Sequence, residues 1–268
     1  LLHAGHASTF WVAFQRAVEA GGRLVLRDED LDPRRSRPEF ATAMIEDLQW
    51  LGIRWHEGPD VGGPLGPYRQ SERRDYYLRT WRDLRARGVL YPCSCSRKDL
   101  AEATQAPHDD NNDNDEAVYS GRCRGRTSTA IDPAGTTWRF RVPDGRAIEF
   151  DDRRAGAQSY IAGQDFGDFV VWRRDGVPAY QLAVVADDLA MEITEVVRGR
   201  DLLVSTARQL LLYEALGVTP PAFFHSPLVT DETGERLAKR HDALSLRALR
   251  ASGATAADAV RAFSRPRP

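Results

Sequence analysis

The chain has 268 residues, 42% of them hydrophobic and 28% charged, with a formal net charge of -2. That is enough chain to bury one large core or two modest ones. The balanced charge excludes a globally basic polyanion binder, and no apolar run approaches the roughly 18–20 residues that span a bilayer, so no membrane partner is expected.

The first segment reads as a helix, with Phe10, Phe14 and Val18 at four-residue spacing and Gly21 and Gly22 stopping it. Just before the apolar period stand His3, Ala4, Gly5 and His6, two imidazoles three apart around a glycine. At a helix N-terminus such a group can receive phosphate, although incidental surface histidines would read the same. Residues 23–27 form a candidate strand ending in Asp28, Glu29, Asp30 and Asp32. Carboxylates beyond a strand's carboxyl end can hold an amino group or a ribose hydroxyl, and acidic solvated turns are equally common. Pro38 opens a helix with Phe40, Met44, Leu48 and Leu51 on one face; residues 53–55 suggest a strand, and Tyr77, Trp81 and Leu84 mark another helix ended by Gly88. Strand and helix alternation predicts a parallel sheet with crossover helices.

The middle of the chain changes character. Residues 89–95, 137–142 and 147–150 look like short strands. They flank the acidic stretch 109–116, which carries five acids and no base and is expected to be mobile. The three cysteines, Cys93, Cys95 and Cys123, all lie here. An odd, clustered set suits a reducing compartment, with the cytosol as default, and a metal site better than a disulfide framework. Three thiolates need one further donor for tetrahedral zinc; Tyr119 and His108 are candidates, and three buried reduced thiols are the simpler alternative.

The α/β pattern then resumes with strands at 169–173 and 192–197 and a helix at 202–216 ended by Gly217. The second strand ends in Arg198 and Gly199, where an arginine can fork onto a carboxylate or make a structural ion pair. After a turn at 231–234 come Arg236, Ala238, Lys239 and Arg240. Only Lys98 and Lys239 are lysines, against 35 arginines, so Lys239 stands out as a compact charge kept for a reason. Short helices are expected near 245–250 and 255–263.

The order of these motifs resembles the class I glutamyl-tRNA synthetases: a His-x-Gly-His group, an acidic strand end, the segment Tyr180-Gln181-Leu182-Ala183-Val184-Val185-Ala186-Asp187-Asp188, a Val-x-Arg-Gly-x-Asp-Leu segment and a lysine loop. The likeness runs from His3 to about Ala243. It implies a Rossmann-like parallel sheet with helices on both faces, interrupted by a strand-rich zinc-binding insertion. Residues 1–88 and 166–243 would be the halves of the nucleotide-binding domain, 89–165 the insertion with a disordered loop at 107–117, and 244–268 a short helical tail. It also implies that His3, Gly5, His6 and Lys239 bind ATP, with His3, His6 and Lys239 catalytic and Mg2+ carried with the nucleotide. Glu29, Tyr180 and Arg198 would bind L-glutamate, and Asp201 would border the adenylate pocket.

The Cys-x-Cys and Tyr-x-x-x-Cys pattern, with only about 28 residues after Arg240, is similar to the glutamyl-queuosine tRNA(Asp) synthetases. That resemblance implies structural Zn2+ on Cys93, Cys95, Tyr119 and Cys123, and transfer of activated glutamate to queuosine in the anticodon of tRNA(Asp). The alternatives are a catalytic fragment of an ordinary glutamyl-tRNA synthetase charging tRNA(Glu), or a non-catalytic tRNA-binding paralogue. Arg236 and Ala238 depart from the family's usual lysine and serine. The chain opens at Leu1 without methionine, and an arginine and a Ser-Pro-Thr-Gly-like turn are expected upstream. Arginines from Arg122 to Arg174 are candidates for following a phosphate backbone, or for a solvated surface.

Overall fold

The computed structural model describes residues 2–32, 36–95, 118–227 and 245–264. The chain divides into two units: Leu1–Glu72, Glu195–Arg200 and Phe223–Pro268 form the first, and Arg73–Thr194 with Asp201–Ala222 form the second.

In the first unit, α1 (Ala4–Glu19) starts earlier than its apolar period suggests, so Gly5 and His6 lie in the opening turn and His3 at the N-cap. The bond from Ala7 N to His3 O, 3.0 Å, closes that turn without any hydrophobic signal. Helix α2 (Pro38–Trp50) begins where Pro38 pre-sets φ and omits an N–H the first turn does not use. Leu48 and Leu51 are buried as expected, but Phe40 is 45% exposed and Val18 of α1 is 62% exposed.

The strands expected at 23–27 and 53–55 are reduced to single parallel bridges, Val25 with Glu57 and Asp28 with Arg69. Leu26 N bonds Glu57 O at 2.8 Å, and two residues later Asp28 N bonds Tyr68 O at 2.9 Å. The partner segment changes before either ladder can lengthen. Strand β6 (Glu195–Gly199) pairs with β7 (Ala222–Ser226). Arg16 of α1 forks onto Glu195 at 2.7 and 3.0 Å and lies 4.1 Å over the Phe224 ring. Leu26, Leu48, Leu51 and Ile53 share a core with Ala7, with Leu246 of α6 (Leu246–Ala251) and with Ala259 of α7 (Ala256–Ser264).

The second unit holds α3 (Arg74–Ala86), an antiparallel sheet ordered β1 (Leu90–Cys93), β2 (Thr137–Phe140), β5 (Phe169–Trp172), and an antiparallel hairpin of β3 (Ala147–Asp152) and β4 (Gly156–Ile161). Two helices complete it, α4 (Tyr180–Ala190) and α5 (Leu203–Leu216), the latter closed by Gly217 at φ 73. Strands β1 to β4 fall in the stretch expected to be a strand-rich insertion, and their ladders are antiparallel. Strand β5, expected in the parallel sheet, instead pairs antiparallel with β2, while the bridges Val25–Glu57 and Asp28–Arg69 are parallel. Strand β4 is a further difference: Gly156, Ala157, Gln158 and Ser159 carry no apolar alternation, and pairing with β3 alone makes them a strand.

Tyr77, Trp81 and Leu84 bury one face of α3, and Trp81 meets Trp138 edge-on with centroids 4.9 Å apart. On α4, residues 181–188 are all buried. Arg73 and Asp187, both with fully buried side chains, pair at 2.6 Å, and Tyr77 Oη donates to Asp187 at 3.1 Å. The paired acids of the third motif are thus tied into the core, with Tyr213 Oη reaching Asp188 at 3.3 Å.

Candidate functional site

The first unit carries most of the residues singled out for ligand binding. His3 and His6 bring their rings to 6.4 Å at a 55° tilt, at the N-terminus of a 16-residue helix. His3 Nδ1 is buried and has no hydrogen-bond partner among the described residues. Its backbone is fixed by an antiparallel bridge to Ser245. A buried nitrogen of this kind costs roughly 1–3 kcal/mol when unsatisfied, so an outside donor or acceptor gains by reaching it.

Beyond the Val25 bridge, the acidic turn is organised by its own partners. Asp30 accepts from Ser71 N and Oγ at 2.8 and 2.6 Å, while Arg27 donates to Glu29 at 3.1 Å. The Glu29 side chain remains 43% exposed. Burial, then repulsion from Asp30 and Glu29 against the attraction of Arg69, pushes the Asp28 carboxyl above its ordinary range.

Arg198 is buried on β6. Its Nε donates to Nε2 of His225 at 3.1 Å, and its guanidinium lies 5.5 Å from the Phe223 ring. Because arginine only donates, His225 must present an unprotonated Nε2 there. Sequence reasoning missed His225. The available signal was the period of two in β7, which turns Phe223 and His225 to one buried face. Tyr180, grouped with Glu29 and Arg198 in the expected glutamate set, belongs to the second unit, where it opens α4 and is 40% exposed. Asp201, also in that unit, is the middle residue of a short 3-10 turn, Arg200–Leu202. Lys239, Arg236, Ala238, His108 and the acidic stretch lie outside the described residues.

The cysteines converge as their clustering suggests. The Sγ atoms of Cys93, Cys95 and Cys123 all lie within 4.8 Å of one another. Tyr119 Oη sits 3.5 Å from Cys93 Sγ and 3.3 Å from Cys95 Sγ, and Cys95 is 3.6 Å from Cys123. A tetrahedron with metal–sulfur bonds of about 2.3 Å has edges of about 3.8 Å, so the four donors fit a tetrahedral metal set. Burial alone would raise the Cys123 thiol, but bonds from Tyr119, the Ser94 backbone and the other two cysteines outweigh it and bring it down to about 6. Burial and then the thiol contacts push the Tyr119 phenol well up, an order that a bound cation reverses.

Of the arginines expected to follow phosphates, Arg124 and Arg139 are turned into the fold, bonded to Asp168. Arg122, Arg126, Arg141, Arg153, Arg154, Arg173 and Arg174 are exposed.

Residues 1–265 match the family described as tRNA synthetases class I (E and Q), catalytic domain. The chain belongs to that family. It is a ligase of the class I synthetase type, and its α/β content is that of the class. It is 48% identical over 262 residues to the glutamyl-Q tRNA(Asp) synthetase of Nitratidesulfovibrio vulgaris, covering 96% of this chain and 80% of that protein. Identity is 50% over 257 residues with the protein of the same name from Symbiobacterium thermophilum, covering 94% and 78%. The glutamate–tRNA ligase 2 of Acidithiobacillus ferrooxidans is 43% identical over 268 residues, 96% of this chain but 53% of that one. The solved glutamate-tRNA synthetase of Elizabethkingia anophelis aligns with a TM-score of 0.76 at 32% identity over 89% of this chain and 50% of that chain. The chain thus spans about half the length of these glutamate–tRNA synthetases.

Proposed function

We propose that the protein activates L-glutamate with ATP and transfers the glutamyl group to the queuosine base of tRNA(Asp). The observation that carries this reading is the identity of 48% and 50% to two proteins named glutamyl-Q tRNA(Asp) synthetase, against 43% to a glutamate–tRNA ligase.

The chemistry asks little of a general base. The α-carboxylate of glutamate is ionised at neutral pH and attacks the α-phosphorus directly; an O–P bond forms and pyrophosphate leaves with its electron pair. Positioning and charge cancellation lower the barrier. His3, Gly5 and His6 would receive the phosphates, the helix N-terminus adding its favourable end and His3 Nδ1 an unsatisfied buried nitrogen. Lys239 would add a compact positive charge to the leaving pyrophosphate. Magnesium carried with ATP supplies further charge compensation. Glu29 and Tyr180 would meet the amino end of glutamate, and Arg198 a carboxylate. Asp201 would border the adenylate.

Cys93, Cys95, Cys123 and Tyr119 would hold a structural zinc ion, stabilising their region of the second unit. The exposed arginines between Arg122 and Arg174 would approach tRNA phosphates, so transfer should weaken with salt far more than activation does.

The test offers labelled glutamate, with ATP, to queuosine-containing tRNA(Asp), unmodified tRNA(Asp) and tRNA(Glu) side by side. Label on the modified tRNA(Asp) alone is the expected result. Label on tRNA(Glu) instead would make the protein a glutamate–tRNA ligase. Absence of glutamate-dependent ATP–pyrophosphate exchange would overturn activation itself.

A further inference from the structure

Asp168 is fully buried and stands just before β5, outside every motif used above. Its carboxylate nevertheless collects four donors. Arg124 gives two bonds, Nε to Oδ2 at 2.6 Å and Nη2 to Oδ1 at 2.7 Å. Val142 N gives a third at 2.9 Å, and the Tyr91 hydroxyl a fourth.

The donors are neighbours of the metal-type ligands. Tyr91 lies two residues before Cys93 on β1, so the two share a strand face and one buried cluster. Arg124 directly follows Cys123. The backbone carbonyl of Asp168 accepts from Arg139 Nη1 at 2.7 Å, and that guanidinium lies 4.1 Å over the ring of Tyr119. Gly167 adds a steric element. A Cβ there would stand 2.6 Å from Tyr119 N and 3.1 Å from Val118 Cγ1, so any side chain would push the Tyr119 segment away.

All three donor-bearing segments therefore converge on two consecutive residues. We propose that Gly167–Asp168 is the positioning element of the cysteine–tyrosine cluster, holding Cys93, Tyr119 and Cys123 in the arrangement a divalent metal takes. This rests on the metal reading of that cluster. Thiolates gathered at one point repel one another, and a rigid surrounding scaffold spares the metal the cost of assembling them. Retaining a buried carboxylate, costly unless fully bonded, is understandable on that ground.

The experiment measures zinc affinity of the full chain by competition with a chromogenic chelator. The visible bands of the cobalt-substituted protein report ligand geometry alongside it. Asp168→Asn and Gly167→Ala should weaken zinc about 10–100-fold, the range for residues that orient metal ligands. Tyr91→Phe keeps the ring in the core and should weaken zinc less while shifting the cobalt bands. Loss of a donor to a buried carboxylate should also lower the metal-free unfolding midpoint, so the zinc and cobalt readouts decide. Arg146→Gln, which removes a surface pair with Glu214, should change neither.

Unchanged zinc affinity and cobalt bands in Tyr91→Phe and Gly167→Ala would overturn the proposal, whether or not Asp168→Asn folds. Lower stability with unchanged zinc affinity would make these residues purely structural and overturn it equally. An unaltered chain that binds no zinc would overturn the metal reading beneath it, a separate result.

Discussion

Two sets of carboxylates, one in each unit, are used in opposite ways. In the second, Asp168 and Asp187 are fully buried and surrounded by donors from arginine, tyrosine and backbone. In the first, the acidic turn stays near solvent: Glu29 is 43% exposed and takes a 3.1 Å bond from Arg27. A carboxylate whose lone pairs are all engaged contributes to the fold and has nothing left for a ligand. One that faces water can exchange that water for an ammonium group. Acidic residues stand in the motifs of both units, so their count does not separate the roles. Their donors do.

The sharpest way to break this contrast is Asp187→Ala. Removing one partner of a fully buried ion pair leaves Arg73 buried beside a lost acceptor, which typically costs about 3–5 kcal/mol. Urea unfolding should show it, and a change below about 1 kcal/mol would mean the pair is not structural. The complementary variant is Glu29→Gln. Its unfolding free energy should stay within about 0.5 kcal/mol, as for exposed sites generally. The glutamate KM in pyrophosphate exchange should rise about tenfold or more through loss of a charge-assisted contact, with the KM for ATP nearly unchanged. Unaltered glutamate KM would remove Glu29 from the substrate site.

Tyr213→Phe tests a weaker bond of the second unit, 3.3 Å to Asp188, and should cost about 1 kcal/mol in the same unfolding assay. The smallest expected effect concerns Asp47, buried on α2 with Oδ2 lacking a hydrogen-bond partner among the described residues. Burial pushes its carboxyl above the ordinary 3.8, against the attraction of Arg247 and Arg250. A raised folded-state value stabilises the fold below the unfolded pKa, and that stability is lost as pH rises through the folded value. Asp47→Asn should therefore flatten this loss and raise the unfolding midpoint slightly at pH 7; a lower midpoint there would show that Asp47 is usefully charged.

Much of the fold could be read from residues alone. Pro38 opens α2, Gly217 closes α5, and the apolar face of α3 matches its buried residues. These are local effects, set by φ limits and a period of 3.6. The convergence of three cysteines and Tyr119 was also legible, because metal-type donors are few and their clustering is conspicuous. Strand β4 and the early start of α1 were not, since neither carries an apolar period.

By itself the sequence determined most of the helices, though not α4, where several of them stop, and that its motifs follow the order of a class I synthetase. Only the tertiary structure decided which polar groups are consumed by the fold. Arg124, Arg139, Asp168 and Asp187 look no different in sequence from the exposed arginines and acids around them. Likewise, His225 acquires its role only by lying against Arg198, 27 residues away along the chain. The physical reason is that a hydrogen bond is satisfied by geometry at about 3 Å, and sequence separation places no limit on which groups come that close.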